Sequence, residues 1–174
     1  MNVTVFCSQY DVAEGYMSAA EDLARRLGEG GHSLVWGGAR TGMMGLVART
    51  VQSVGGRAIG VIRAEIDDQI YDGADEMHVV SDVAAMNAGL IERGDAFIVL
   101  PGGIGTLHEL TELLRMRKNR KHAKNVLVLN TDGFYEGMRV QLERMGKEGF
   151  IVPDVIGSVR FASTPEELMG FLSH

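Results

Sequence analysis

The chain has a single cysteine, Cys7, in 174 residues. One thiol excludes an intramolecular disulfide and suits a reducing compartment, so a cytoplasmic location is expected. No apolar run approaches the ~20 residues of a membrane-spanning helix, so no membrane partner is expected. The opening "MNVTVFCSQY" has neither a basic n-region nor an apolar h-region, and no signal peptide is expected. Positive charge is scarce: 17 Lys+Arg stand against 23 Asp+Glu, a formal net charge of −6. A general nucleic-acid binder needs a basic face, so that class is disfavoured. The five histidines have no ligand-like spacing and there is no Cys/His cluster, so no metal site is expected. Repeats, low-complexity stretches and linkers are also missing.

What is present is an ordinary globular composition, 45% hydrophobic and 23% charged, in a length that suits one domain with a real core. Strand and helix patterns alternate. "NVTVFC" (2–7) is β-branched and reads as a strand. A helical period follows over 13–31 and stops on glycines. "HSLVWGG" is a strand, "GMMGLVARTVQSVGG" a helix and "RAIGVI" (57–62) a strand. "AEIDDQIYDGADE" reads as an irregular surface loop. "MHVV" is a short strand, and residues 82–94 form a helix with Asp82 as N-cap. "DAFIVLP" is a continuous apolar strand of the kind buried on both faces. Residues 105–118 read as a helix, "NVLVLN" as a strand and residues 132–149 as a helix. "VIGSVRFA" is a weaker last strand before a closing helix with Pro165 in its first turn. This alternation predicts an α/β fold: a doubly wound parallel sheet with helices on both faces, three layers in a single domain over 1–174.

Ligands of such sheets bind beyond the carboxyl ends of the strands, which directs attention to three loops: "CSQYD" (7–11), "WGGARTGMMG" (36–45) and "PGGIGT" (101–106). In the third, glycines let backbone N–H groups approach an anion, and the helix that follows offers unpaired N–H groups and a positive dipole end. Thr106 adds a hydroxyl, and Glu109 lies one turn into the helix. A carboxylate would repel a phosphate, so Glu109 makes more sense about a sugar's length away, at a reacting carbon. The competing reading is a glycine turn followed by an exposed helix glutamate. The second loop lacks both the Walker spacing and G-x-G-x-x-G. It reads as a glycine turn with Arg40 near an anion. Ser8 lacks the context of a nucleophile elbow, and Cys7 reads as a core thiol rather than a nucleophile. "RMRKNRKHAK" (115–124) carries six of the 17 Lys+Arg. It could focus an anionic substrate or simply complement a helix C-terminus.

"PGGIGTLHE" matches the PGGxGTxxE motif of the Lonely Guy family of nucleoside 5′-monophosphate phosphoribohydrolases, and other segments are similar. "VFCSQYD" resembles the family's opening strand and loop, "GGARTGMMGLVA" its GGxxxGLMG segment, and "GGRAIGVI" its third strand. "DAFIVLPGG", "VLVLNTDGFYEGM" and "KEGFI" continue in register, so the resemblance covers nearly the whole chain. It implies a Rossmann-like nucleotide-binding domain, a homodimer, no cofactor, and hydrolysis of the N-glycosidic bond of a nucleoside 5′-monophosphate to free base and ribose 5-phosphate. By carry-over Gly102, Gly103, Ile104, Gly105 and Thr106 hold the phosphate and Glu109 is catalytic. Ser8, Gly38 and Arg40 are candidate nucleotide contacts. Proteins of this type have also been labelled lysine decarboxylases, but nothing here points to the Schiff-base lysine of pyridoxal phosphate chemistry.

One departure matters. The family's DMHxRK motif, laid on "DVAAMNAGLIERGD" from Asp82 to Asp95, puts Met86 at its arginine and Asn87 at its lysine. Methionine can neither pair with a phosphate nor polarise a leaving base. Met116, Lys118 and His108 replace further family residues. Three outcomes are compatible with this pattern: a hydrolase in which another cation substitutes, a hydrolase of altered base specificity, or a nucleotide or phosphate-cofactor binding protein without turnover. Arg93, two helical turns beyond Met86, is the first candidate substitute. Arg40 and the 115–124 run are further ones. Met86 and Asn87 remain candidate nucleotide contacts.

Overall fold

The computed structural model describes residues 1–172, without the side chains of Ile66 and Asp67. Seven strands and seven α-helices follow one another as β1 (Asn2–Phe6), α1 (Glu14–Glu29), β2 (Ser33–Trp36), α2 (Gly42–Ser53), β3 (Ala58–Arg63), β4 (Glu76–Val80), α3 (Val83–Arg93), β5 (Ala96–Val99), α4 (Ile104–Lys118), β6 (Val126–Leu129), α5 (Glu136–Lys147), α6 (Pro153–Gly157), β7 (Val159–Ala162) and α7 (Pro165–Leu172). The strands pair in parallel in the order β4-β3-β2-β1-β5-β6-β7. The expected doubly wound sheet is therefore the observed fold.

The residues explain the layers. "AFIV" of β5 and "VLVL" of β6 are buried throughout, as strands covered on both faces must be. Buried residues of α1, α2 and α7 pack with one sheet face around Trp36, Leu34 and Ile98. Those of α3, α4, α5 and α6 pack with the other around Val61, Phe97 and Val128. Gly28 of α1 lies so close to α2 that a Cβ there would run into the Val54 side chain. A bare backbone at that point lets the two helices meet. Asp82 caps α3 as its sequence suggests, accepting from the Ala85 N–H at 2.8 Å.

Some local expectations fail. Residues 64–69 of the presumed loop wind into a 3₁₀ turn. "VIGSVRFA" is not one strand: Pro153 opens the short helix α6 and the strand begins only at Val159. Proline's fixed φ suits a first helical turn, and this local bias prevails over the apolar run that follows. The helix expected from residue 132 starts at Glu136, after a 3₁₀ turn in which Asp132 takes φ 52°.

The chain lays β1 to β4 outward in one direction, then crosses back to place β5 on the other side of β1. The loops after β1 and β5 therefore diverge at this reversal and leave a crevice at the carboxyl edge.

Candidate active site

A cavity of about 480 Å³ opens at that reversal. Its walls come from Cys7–Tyr10 after β1, Met44 at the start of α2, Arg63 at the end of β3, the first turns of α3 (Val83, Met86, Asn87) and the start of α4 (Gly103–Thr106, His108, Glu109). Loop 36–45 contributes mainly by packing against loop 7–11. The Met44 N–H donates to Ser8 O at 3.1 Å and the Met43 N–H to Tyr10 O at 3.3 Å. The Ser8 hydroxyl is itself used in the turn, accepting from the Tyr10 N–H at 3.0 Å.

Gly103 is the N-cap of α4, so the first N–H groups of the helix are without intrahelical partners and face the cavity. No side-chain cap covers them. An added Cβ at Gly103 or Gly105 would meet nothing within 4 Å, which leaves room for an anion to approach the backbone. Gly102 is different. A Cβ there would collide with the Thr106 side chain, so its bareness serves the fold of the loop. Below the loop, the Tyr135 hydroxyl donates to Leu100 O at 2.8 Å and ties the end of β5 to the start of α5.

Glu109 faces the same cavity one turn further on. Among the described residues its carboxyl group has no hydrogen-bond or ion-pair partner. Burial pushes its pKa up from 4.5 to about 8, since a charged carboxylate loses solvation there and no cation compensates. Its neighbours feel it. The Cys7 thiol is raised well above its ordinary range, chiefly by burial and then by Glu109. The Tyr135 phenol is raised by burial, then by Glu109 and Cys7. A thiol held protonated in this way is a poor nucleophile.

The structure brings Ser8, Met86, Asn87, Gly103, Ile104, Gly105, Thr106 and Glu109 to one cavity, with Gly102 supporting the loop. It does not bring Gly38, Arg40 or Arg93 there. Gly38, at φ +74°, packs on β3, where a Cβ would lie 2.9 Å from that of Ile62. Arg40 is exposed, with its backbone N–H donating to Gln69 O at 2.8 Å. Arg93 fails for a simple reason of length. Seven residues of helix carry it about 10 Å from Met86, to the amino edge of the sheet. There it bonds back to Gly89 O at 3.2 Å, and its own carbonyl accepts from Asn2. The 115–124 run is also remote, at the far end of α4, and it is partly neutralised: Arg115 pairs with Glu112 at 2.6 Å and Arg117 with Asp154 at 2.8 Å.

Arg63 lines the cavity too, outside every motif of the sequence. A lone charge closing the apolar strand "AIGVIR", at the edge where ligands bind, was the available signal. Its side chain is 29% exposed and its guanidinium lies 3.2 Å from Glu65. Among the described lining residues, His108 is the other basic side chain.

A family model described as "possible lysine decarboxylase" matches residues 44–172. The chain is 39% identical over 168 residues to "Probable cytokinin riboside 5'-monophosphate phosphoribohydrolase LOGL3" of Oryza sativa subsp. japonica, covering 95% of this chain and 80% of that one. It is 37% identical over 156 residues to the cytokinin riboside 5'-monophosphate phosphoribohydrolase of Rhodococcoides fascians, covering 87% and 79%. Among solved structures, the molybdenum cofactor carrier protein of Chlamydomonas reinhardtii superposes with a TM-score of 0.77 over 99% of this chain and 95% of that one, at 20% identity. At that identity the likeness is one of fold.

Proposed function

The chain belongs to the Lonely Guy family, and on that footing we propose that it hydrolyses the N-glycosidic bond of a nucleoside 5′-monophosphate, releasing the base and ribose 5-phosphate. One observation carries this reading: a largely buried, partnerless Glu109 carboxyl group one turn behind an open helix N-terminus. The N–H groups at Gly103–Thr106 take the 5′-phosphate. The sugar then lies over the first loop, with C1′ near Glu109. As the C1′–N bond breaks, its electron pair goes to the base and positive charge grows on the ribose ring. The ionised Glu109 stabilises that charge and accepts a proton from the attacking water, whose oxygen bonds to C1′. The departing base takes a proton from solvent. Two relatives carry names for this activity on cytokinin riboside 5′-monophosphates. The decarboxylase label has less support. No lysine is among the described residues lining the cavity, so a Schiff-base lysine has no candidate.

The homodimer implied by the family belongs to the same proposal. Val83, Ile104 and Leu107 are 44%, 83% and 38% exposed on α3 and α4, the two helices whose apolar faces suit a second copy.

A second reading, binding without turnover, is favoured by one fact: no cation offsets the charge of Glu109, so the free protein holds it protonated at neutral pH. The deciding experiment incubates the pure protein with nucleoside 5′-monophosphates and with the matching nucleosides, and measures base and ribose 5-phosphate. Release from monophosphates alone supports the hydrolase. Monophosphate binding by calorimetry without release supports the binder.

A further inference from the structure

The family's charged pair on the third helix is replaced here by Met86 and Asn87, yet the space those side chains would enter is not without charge. Gly89 of α3 lies directly over Val61, whose Cγ1 would be 3.1 Å from an added Cβ. Two residues further along β3 is Arg63, about 6.6 Å on. One helical turn back along the antiparallel α3 are Ala85 and Met86, about 4.5–6 Å on. Arg63 and Met86 are therefore displaced the same way, by similar distances, from the Gly89–Val61 contact, and both line the cavity.

The sheet register fixes which part of a nucleotide would meet it. Ile59, Val35, Thr4 and Phe97 are paired across four strands. Extending that register four residues beyond them puts Arg63, at the end of β3, level with Ser8 and Pro101, which follow the ends of β1 and β5. With strands about 4.8 Å apart, β3 is about 10 Å from β1 and about 14 Å from β5. A phosphate at the α4 N-terminus next to β5, with ribose over Ser8, leaves the base extending toward β3. Asn87 lines this end, 8% exposed, with its Oδ1 lacking a hydrogen-bond partner among the described residues.

Resting on the phosphoribohydrolase reading, we infer that Arg63 is the cation that contacts the leaving base, replacing from strand β3 the charge that helix α3 has lost. A guanidinium is always charged and has donors only. It does not protonate the base. It donates hydrogen bonds to a ring nitrogen or carbonyl of the base as the electron pair of the C1′–N bond arrives there. Its present tie to Glu65, itself 70% exposed, is a surface pair that holds little free energy and releases readily.

The test compares wild type, Arg63→Ala and the double variant Arg63→Ala/Met86→Arg on two substrates. One is the nucleoside monophosphate that wild type cleaves best. The other is para-nitrophenyl β-ribofuranoside 5-phosphate, whose phenolate departs without assistance. Loss of one such donor is expected to lower kcat on the nucleotide by about 10²–10³-fold and to leave the aryl substrate little affected, with Met86→Arg restoring part of the loss. Equal losses on both substrates would assign Arg63 to the phosphate or to the fold. An unchanged rate on the nucleotide would remove it from the reaction. Wild type inert on both substrates would overturn the activity and this role together, whereas turnover by wild type with an indifferent Arg63→Ala overturns the role alone.

Discussion

Replacing Glu109 by glutamine should cost activity and gain stability, and the gain should depend on pH. The unfolded chain releases the Glu109 proton near 4.5, whereas the folded protein holds it until about 8. Between these values unfolding releases a proton, so this carboxyl group lowers stability progressively as pH rises from about 4.5, and the penalty levels off above about 8. The full gap corresponds to roughly 5 kcal/mol at about 1.4 kcal/mol per tenfold. The cavity is open to water, and allowing for that screening leaves roughly 2–3 kcal/mol. At about 2–4 °C per kcal/mol for a domain of this size, Glu109→Gln should melt roughly 5–10 °C above wild type at pH 8.5 and close to it at pH 5. Any penalty of the new amide is independent of pH, so the change in the difference is the readout. Thermal denaturation of both proteins across that range is the assay. A difference that stays constant from pH 5 to pH 9 would refute the reasoning, because Glu109 would then ionise as it does in water. A stabilised variant with turnover reduced by at least about 10²-fold is the expected pairing of strain with function.

Two further predictions concern the same site. Since kcat/KM reports the free enzyme, it should rise through about pH 8 as Glu109 ionises and then level off. A fall through that pH would mean that Glu109 works in its protonated form. Gly105→Ala adds a methyl that meets nothing within 4 Å, so it should leave the fold intact or raise stability by roughly 0.5–1 kcal/mol. The same methyl sits beside the N–H groups proposed to bind the 5′-phosphate and should raise KM for a monophosphate. An unchanged KM would place the phosphate elsewhere.

Much of this protein was legible without coordinates, for reasons that are local. Alternating β-branched and helical periods predict a doubly wound sheet because periodicity is set by the rise and twist of each element. The strand–glycine–helix run at 96–109 predicts an open helix N-terminus with a glutamate one turn behind it, because a helix places residues three or four apart on one face. Local signals also erred where two of them competed, as at Pro153, which starts a helix that takes in the first residues of the expected last strand.

The sequence by itself determined the class of fold, the uncapped helix N-terminus at Gly103 and the position of Glu109 behind it. Tertiary structure alone decided what surrounds that carboxylate. Arg93 shares a helix face with Met86 yet ends at the opposite edge of the sheet, whereas Arg63, twenty-three positions earlier in the chain, lines the same cavity as Met86. The 115–124 run carries more charge than either and lies at the far end of α4. Nearness across a sheet depends on strand order and register, which arise from many distant pairings at once and leave no periodic trace in any one segment.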